Sequence, residues 1–271
     1  MCKLKFSVSM CVYSGDSPSW FKEAVDSVLN QTLPPNEVVL QVDGPVSEEM
    51  NKVIYEYEEK QAIKVFRLEN NMGHGIARNE CLKHCSYDYV AIVDADDINA
   101  STRFEKQMIC FENDENLSAV SSWCSHFNES IDSIINIEKL PEKDAEIKKY
   151  LKKRCPLCQA STIFKKSVVE EVGGYKDWYY AEDYYLWIRL ALKGEKFYNV
   201  QENLLFVRST DNQSKRRGGW KYFQSMRKLF IFMRKNKMIS YWLYLYNVLG
   251  RFVMQVLMPS KLRSLVRKKV L

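Results

Sequence analysis

The chain has 271 residues, 46% of them hydrophobic and 27% charged, a balance that excludes a disordered or fibrous protein and predicts one principal core. Its net charge of +6 conceals an asymmetry: residues 1–214 carry 25 basic and 34 acidic groups, whereas Lys215 to Leu271 carries 15 basic groups and no acid. A tail of that kind excludes an evenly solvated surface and points to a polyanionic partner, nucleic acid or anionic lipid, met by the C-terminal part alone.

Phe6 to Tyr13 reads as a buried strand, and the following Ser14 to Pro18 as a turn. Ser19 to Asn30 has Trp20, Phe21, Ala24, Val25, Val28 and Leu29 at helical spacing. Pro34-Pro35 ends that helix, and Glu37 to Val42 is a second strand closing on Asp43-Gly44. A polar-faced helix over Ser47 to Lys60 and a strand over Ile63 to Leu68 come next, then a helix over Gly75 to His84. Tyr87 to Val93 is a nearly continuous apolar run, as buried parallel strands are, and it ends in Asp94-Ala-Asp96-Asp97. Ser101 or Thr102 caps a further helix, Leu117 to Trp123 is another strand, and the charge-rich Glu142 to Arg154 is a solvated helix. After the break at Gly173-Gly174, a helix runs from Ala181-Glu182-Asp183 to Gly194, with short strands near Phe197 to Val200 and Leu204 to Val207. Alternation of strand and helix on this scale is an α/β domain with a largely parallel sheet.

Met1 to Phe6 lacks the long apolar stretch of a secretory signal, which predicts a cytosolic chain whose eight cysteines are free thiols. A zinc site on Cys155-Pro-Leu-Cys158 would need two ligands from the distant Cys81, His84 and Cys85.

Ligands of open α/β sheets bind at the C-terminal ends of strands. Three such ends carry the chemistry: Val12-Tyr13, Asp43, and the triplet Asp94, Asp96, Asp97. Carboxylates crowded at a strand end repel one another, and a divalent cation completed by phosphate oxygens removes the repulsion. An acidic turn capping the next helix is the plain alternative for the triplet, and an Asp-Gly turn the plain alternative for Asp43. Gly73 to Asn79 adds glycines at a helix start and Arg78 one turn in, which suits phosphate.

The ordered set Val8 to Tyr13, Asp26-Ser-Val-Leu-Asn-Gln-Thr32, Val42-Asp43-Gly44, Asn71-x-Gly73-x-x-x-Ala77-Arg78-Asn79, Asp94-Ala-Asp96-Asp97 and Gly173-Gly174-Tyr175 with Glu182-Asp183 resembles family 2 glycosyltransferases of GT-A fold, over residues 5–210. Arg208 and Arg216-Arg217-Gly-Gly-Trp220 resemble the bacterial exopolysaccharide and O-antigen members of the amylovoran-biosynthesis type. The resemblance implies a catalytic domain at 1–214 and a basic helical extension at 215–271. It implies an inverting transfer of one hexosyl unit from a nucleotide-sugar, with a UDP-sugar the first choice, to a saccharide on polyprenyl diphosphate.

Residue by residue, the resemblance makes Asp43 the base-binding carboxylate, with Val12 and Tyr13 beside it. It puts Arg78 near base and phosphate, and Asp94 on the ribose side. Asp96, with Asp94, would hold Mn²⁺ or Mg²⁺ against the donor diphosphate, Asp183 would be the general base, and Glu182 would lie beside it. Gln159 stands where relatives often have His, and the Gln-x-x-Arg-Trp signature of processive synthases is missing. Arg216 and Arg217 precede Gly218-Gly219 and are expected to fold onto the donor diphosphate, with an acceptor-lipid or membrane contact as the rival role.

Within the tail, Ser240, Tyr244, Asn247, Arg251 and Gln255 make one polar stripe opposite Trp242, Leu245, Leu249, Val253 and Val256. Arg251 disfavours a membrane span and favours a helix lying in the interface or packed on the body. No nucleic-acid-binding signature accompanies the 15 cations, so the expected partner is the anionic inner face of the bacterial membrane. The rival readings are a sugar nucleotidyltransferase, which normally has a Gly-rich basic loop after strand one, and a non-catalytic nucleotide-sugar-binding scaffold.

Overall fold

A computed structural model describes residues 4–209 and 218–259. The strands are β1 (Phe6–Tyr13), β2 (Glu37–Asp43), β3 (Lys64–Arg67), β4 (Tyr89–Asp94), β5 (Ile98–Asn99), β6 (Leu117–Phe127), β7 (Ile134–Glu138), β8 (Ile163–Lys165) and β9 (Lys196–Arg208). They form one sheet in the order β3-β2-β1-β4-β8-β6-β9-β5, with β7 paired to β6. The β3-β2-β1-β4 half is parallel, β8 joins antiparallel, and β6 and β9 run parallel to each other. The helices are α1 (Pro18–Leu29), α2 (Glu48–Glu59), α3 (His74–His84), α4 (Arg103–Asn113), α5 (Asp144–Leu151), α6 (Lys166–Glu171), α7 (Glu182–Lys193), α8 (Gly219–Lys235) and α9 (Tyr241–Phe252).

Alternation along the buried strands feeds two cores. Phe6, Val8, Met10 and Val12 of β1 meet Phe21, Val25, Ile54, Phe104 and Met108 on one face. On the other face, Val39, Val90 and Ile92 meet Cys81 and Leu82 of α3, Trp187 and Leu190 of α7, and Leu229, Phe230 and Met233 of α8. A parallel sheet covered on both faces hides its strand centres and leaves its C-terminal ends as the accessible polar edge.

The sequence-level elements correspond closely in the parallel half. Further on, β9 is one 13-residue strand where two short ones were expected; it pairs with β6 on both sides of an irregular stretch between Val200 and Leu205, which separates the two expected segments. The charge-rich stretch holds α5, which buries Ile147 and Leu151 and turns its charges outward. The seven described cysteines are free. Cys81 lies under the carbonyls of Met10 and Val39, and the His84 ring stacks on Phe66 with centroids 3.6 Å apart, so both serve the packing of α3.

In the extension, α8 shares the core of the body, and Ser240 caps α9 by accepting from Leu243 N–H. The polar stripe of α9 faces inward: Asn247 donates to Lys152 O at 3.0 Å, Arg251 to Lys153 O at 2.8 Å, and Gln255 is buried. Trp242, Tyr246, Leu249, Val253 and Leu257 consequently form an exposed apolar stripe, with Trp242 at 78% exposure. Among the described residues, no helix is long and apolar enough to cross a membrane.

Candidate active site

Register alone places the key carboxylates. Tyr13 pairs with Asp43 across β1 and β2, and Cys11 pairs with Asp94 across β1 and β4, so both acids lie at one edge of the sheet. Val12, between them, is fully buried in the core, which leaves only its main chain for any ligand at that edge. Tyr13 turns outward and lies over Gly15.

Asp43 does more than end a turn. Its carboxylate accepts Met72 N–H at 2.7 Å and Gly73 N–H at 3.1 Å, and Asn71 donates to its carbonyl at 3.3 Å, which folds the 70–73 loop over the strand end. Gly44 permits this approach: at φ +80° it occupies the left-handed region, and a Cβ there would lie 2.5 Å from Asn71 N. The anchored loop then opens α3.

From α3 a chain of side chains crosses the site. Arg78, 1% exposed, donates from Nη2 to Asp94 and from Nε to His74 Nε2 at 3.0 Å. His74 Nδ1 meets Glu182 Oε1 at 2.8 Å, so Nδ1–H donates to the carboxylate while Nε2 accepts. Asp94, Arg78, His74 and Glu182 are thus one hydrogen-bonded relay. Desolvation and the Arg78 guanidinium press the His74 pKa down, but the Glu182 hydrogen bond and the charges of Asp94 and Glu182 prevail and raise it. Glu182 is lowered, because its bond to His74 outweighs burial. The hydrogen bond from Arg78 Nε–H to His74 Nε2 needs a neutral imidazole, so it opposes the rise that Glu182 and Asp94 favour. Arg78 Nη1 is buried with no hydrogen bond.

Beside the relay lies the acidic edge. Burial drives Asp97 well up, helped by the charges of Asp96 and Asp94. Burial likewise raises Asp16 to about 7, with Asp96 and Asp94 adding to it against a lowering hydrogen bond from Tyr13 N–H. Arg208 braces this edge: its main-chain N–H donates to Asp97 Oδ1 at 3.0 Å, its Nε donates to Asp96 O at 3.1 Å, and its guanidinium lies over the rings of Trp20 and Phe127. Mg²⁺ and Mn²⁺ take carboxylate oxygens as ligands, completed by phosphate and water.

The second wall belongs to α7. Asp183, in its first turn, accepts Tyr184 N–H at 2.6 Å, and the Cys155 thiol lies 3.7 Å from its Oδ2. Tyr175 joins this wall to α3, because Asn79 donates to Tyr175 O and accepts Tyr175 N–H, each at 2.8 Å. Gly174, at φ +66°, has no room for a Cβ, which would fall 2.5 Å from Asn79 Oδ1. The Ala-Arg-Asn and Gly-Gly-Tyr segments are therefore two halves of one joint. Gln159 donates to the Tyr175 hydroxyl at 2.5 Å.

A pocket beside the relay is lined by Met72, Gly73, His74, Trp178, Tyr179, Tyr180 and Glu182, among others. The extension holds its aromatic wall: Trp178 Nε1–H donates to Ser225 O at 3.2 Å, Ser225 Oγ–H donates to Tyr179 O at 2.7 Å, and Lys221 Nζ lies 4.2 Å from the centre of the Tyr179 ring.

A family model described as glycosyl transferase family 2 matches residues 7–173, over half of the chain. The chain belongs to that family. It is 37% identical over 268 residues to an Escherichia coli enzyme described as UDP-Gal:alpha-D-GlcNAc-diphosphoundecaprenol beta-1,3-galactosyltransferase, covering 98% of this chain and 96% of that one. It is 31% identical over 229 residues to the amylovoran biosynthesis glycosyltransferase AmsE of Erwinia amylovora, covering 83% and 84%. Among solved structures, Staphylococcus aureus TarS 1-349 in complex with UDP-GlcNAc superposes with a TM-score of 0.69 at 18% identity, over 93% of this chain and 74% of that one. The Pyrobaculum calidifontis mannosyltransferase PcManGT, in complex with GDP-Man and Mn²⁺, gives 0.65 at 15% identity, over 92% and 70%. These superpositions show the GT-A fold, a mixed α/β architecture.

The sheet edge thus brings Asp43, Arg78 and Asp94 together through the β1, β2 and β4 ends, and reaches Glu182 through His74. Arg216 and Arg217 lie outside the described residues. Sequence reasoning missed His74 and Asp16. His74 stood inside the Gly73 to Asn79 motif and could have been read as Arg78's neighbour four residues back on a helix. Asp16 gave no signal, since its meeting with Asp94 and Asp96 depends on strand order.

Proposed function

We propose that this glycosyltransferase moves one sugar, with inversion, from a UDP-sugar to a saccharide carried on polyprenyl diphosphate in bacterial surface-polysaccharide synthesis. The observation that carries this reading is the Asp94–Arg78–His74–Glu182 relay, which couples a phosphate- and cation-suited edge to an aromatic pocket of sugar-binding type. The Escherichia coli relative's lipid-diphosphate acceptor supports the acceptor class.

In this reading, Asp43 and the loop it anchors receive the nucleoside, and Arg78 Nη1 supplies a donor to the anionic donor substrate. Asp96 and Asp94 would hold Mn²⁺ or Mg²⁺, which neutralises charge on the diphosphate when bound. Asp183 takes the proton of the acceptor hydroxyl as that oxygen bonds to the anomeric carbon, and the bond from that carbon to the diphosphate breaks on the opposite face. An ordinary carboxylate is a weak base, so positioning and charge stabilisation carry much of the acceleration. Glu182, held by His74, lines the acceptor pocket, where Trp178, Tyr179 and Tyr180 offer flat faces to a pyranose. Product mass spectrometry with a donor panel and a lipid-linked acceptor tests the reading. Nucleoside diphosphate release together with an extended acceptor is expected; pyrophosphate release would assign a nucleotidyltransferase, and binding without turnover a scaffold.

We further propose that residues 1–214 catalyse and 215–271 seat the enzyme on the cytoplasmic face of the membrane. The outward stripe of α9 enters the interface of an anionic bilayer, since it is apolar and belongs to a segment with 15 cations and no acid. Five of those cations lie in residues 260–271, directly beyond the stripe's last residue, Leu257, and Pro259. Trp242→Asp with Leu249→Asp should abolish sedimentation with anionic vesicles and leave transfer to a soluble acceptor unchanged; retained sedimentation would remove the stripe from the membrane.

A further inference from the structure

The β6–β7 ribbon carries a cluster that sugar transfer does not use. Side chains two apart on a strand share a face, so Cys124 and His126 of β6 lie together, and Glu138 of β7 is the register partner of Cys124. Cys124 Sγ lies 3.8 Å and His126 Nε2 lies 3.7 Å from Glu138 Oε2, and all three donor atoms fall within 4.8 Å of one another. Cys124 is 1% exposed, whereas the side chains of His126 and Glu138 keep 22% and 27% of their surface, so the cluster is buried at its root and open at its rim. His126 Nδ1 is placed by Ser209 Oγ at 3.3 Å, and its buried Nε2 makes no hydrogen bond. Cys158, from the Cys-Pro-Leu-Cys segment, packs against the small apolar cluster that holds Cys124.

We propose that Cys124, His126 and Glu138 bind one Zn²⁺ ion that pins β7 to β6, with water in the fourth position. One thiolate, one imidazole and one carboxylate, completed by water, are ligands that zinc accepts in tetrahedral sites. Bond lengths of about 2.3 Å to sulfur and 2.0–2.2 Å to nitrogen and oxygen require donor atoms roughly 3.3–3.7 Å apart, so the two spacings to Glu138, 3.8 and 3.7 Å, need to contract only by tenths of an ångström, while Cys124 and His126 already lie within 4.8 Å of each other. The Ser209 contact on Nδ1 is the kind of outer partner that aims a ligating histidine. An ion here fastens β7 to β6, whose ladder is irregular between His126 and Phe127. The oxygen-rich Asp94–Asp96 edge selects a different, harder cation, which makes the two sites separable.

The test uses the full chain, stripped with a chelator and reloaded with Zn²⁺ or Co²⁺. One equivalent of Zn²⁺ per chain should survive dialysis by metal analysis, and the Co²⁺ form should show thiolate-to-metal charge-transfer absorption, which carboxylates cannot give. Cys124→Ser, His126→Gln and Glu138→Gln should each weaken Zn²⁺ by at least about tenfold, the low end for losing even an outer partner of a site. Asp96→Ala should leave Zn²⁺ and the absorption unchanged. His126 and Glu138 sit at the rim, so their variants read the site even where Cys124→Ser fails to fold. A wild-type protein that retains no Zn²⁺ and shows no thiolate absorption would overturn the proposal, as would full retention in the His126 and Glu138 variants. Neither result bears on sugar transfer, because no ligand belongs to the donor or acceptor site.

Discussion

Glu37 and a group of aspartates sit at opposite ends of the same parallel half of the sheet, and the fold treats them in opposite ways. At the N-terminal end, Glu37 is buried yet accepts from Ser7 Oγ at 2.6 Å, Lys64 Nζ at 2.7 Å, Ser86 N at 2.5 Å and Ser86 Oγ at 3.0 Å. Burial presses its pKa up, but Lys64, Ser7 and Ser86 together hold it down at about 2. At the C-terminal end, Asp16, Asp94, Asp96 and Asp97 press on one another, with Asp16 and Asp97 pushed up by burial and by their neighbours' charges. A carboxylate with all its donors supplied is a structural fastening. Carboxylates that burial and one another's charge push up resist ionisation, the pattern more common at ligand sites than at structural fastenings.

The contrast breaks if removal of an acid at the C-terminal edge harms folding more than binding. Asp96→Ala is expected to abolish metal-dependent binding of a nucleoside diphosphate, measured by calorimetry with Mn²⁺, while the melting temperature stays near wild type. Unchanged, still metal-dependent affinity would take Asp96 out of the site.

Next in size, Asp183→Asn should leave donor binding near normal and slow transfer by at least ~100-fold, the low end for a general base. Wild-type turnover would place the base elsewhere. A smaller effect sharpens the role of the relay: His74→Gln should slow transfer by about tenfold, near the free energy of one hydrogen bond to a charged group. If the relay matters for more than stability, that loss appears in turnover at saturating donor with no change in unfolding midpoint.

At the other end, Glu37→Gln should leave the turnover of folded enzyme unchanged and destabilise the protein by about 1–3 kcal/mol, because a neutral amide cannot accept from all four donors. The folded pKa is depressed from 4.5 to about 2, so the stabilisation from the ionised group is fully present above 4.5 and is lost as pH falls toward 2. Denaturant unfolding of the variant should therefore vary less with pH across that window than wild type does. An equal pH dependence of the two proteins would show that Glu37 is not the fastening.

Much of this molecule is written locally. Apolar runs bounded by turn residues fix β1, β2 and β4 within a residue or two, and because a parallel strand ends where its polar residue begins, the sequence alone could set Asp43, Asp94 and Asp96 at the rim of a sheet. The fold class and the family follow from that order of motifs. What distance in sequence hides, only the tertiary structure decided. The bond from His74 to Glu182 spans 108 residues, Asp16 meets the triplet through strand order, and Glu138 reaches Cys124 through a ribbon whose apolar residues face solvent and carry no burial signal. The direction of α9 belongs to the same class. Its two faces were legible as a pattern, but which one the body would take rested on backbone carbonyls at Lys152 and Lys153 that offered acceptors to Asn247 and Arg251 and left the apolar face outside.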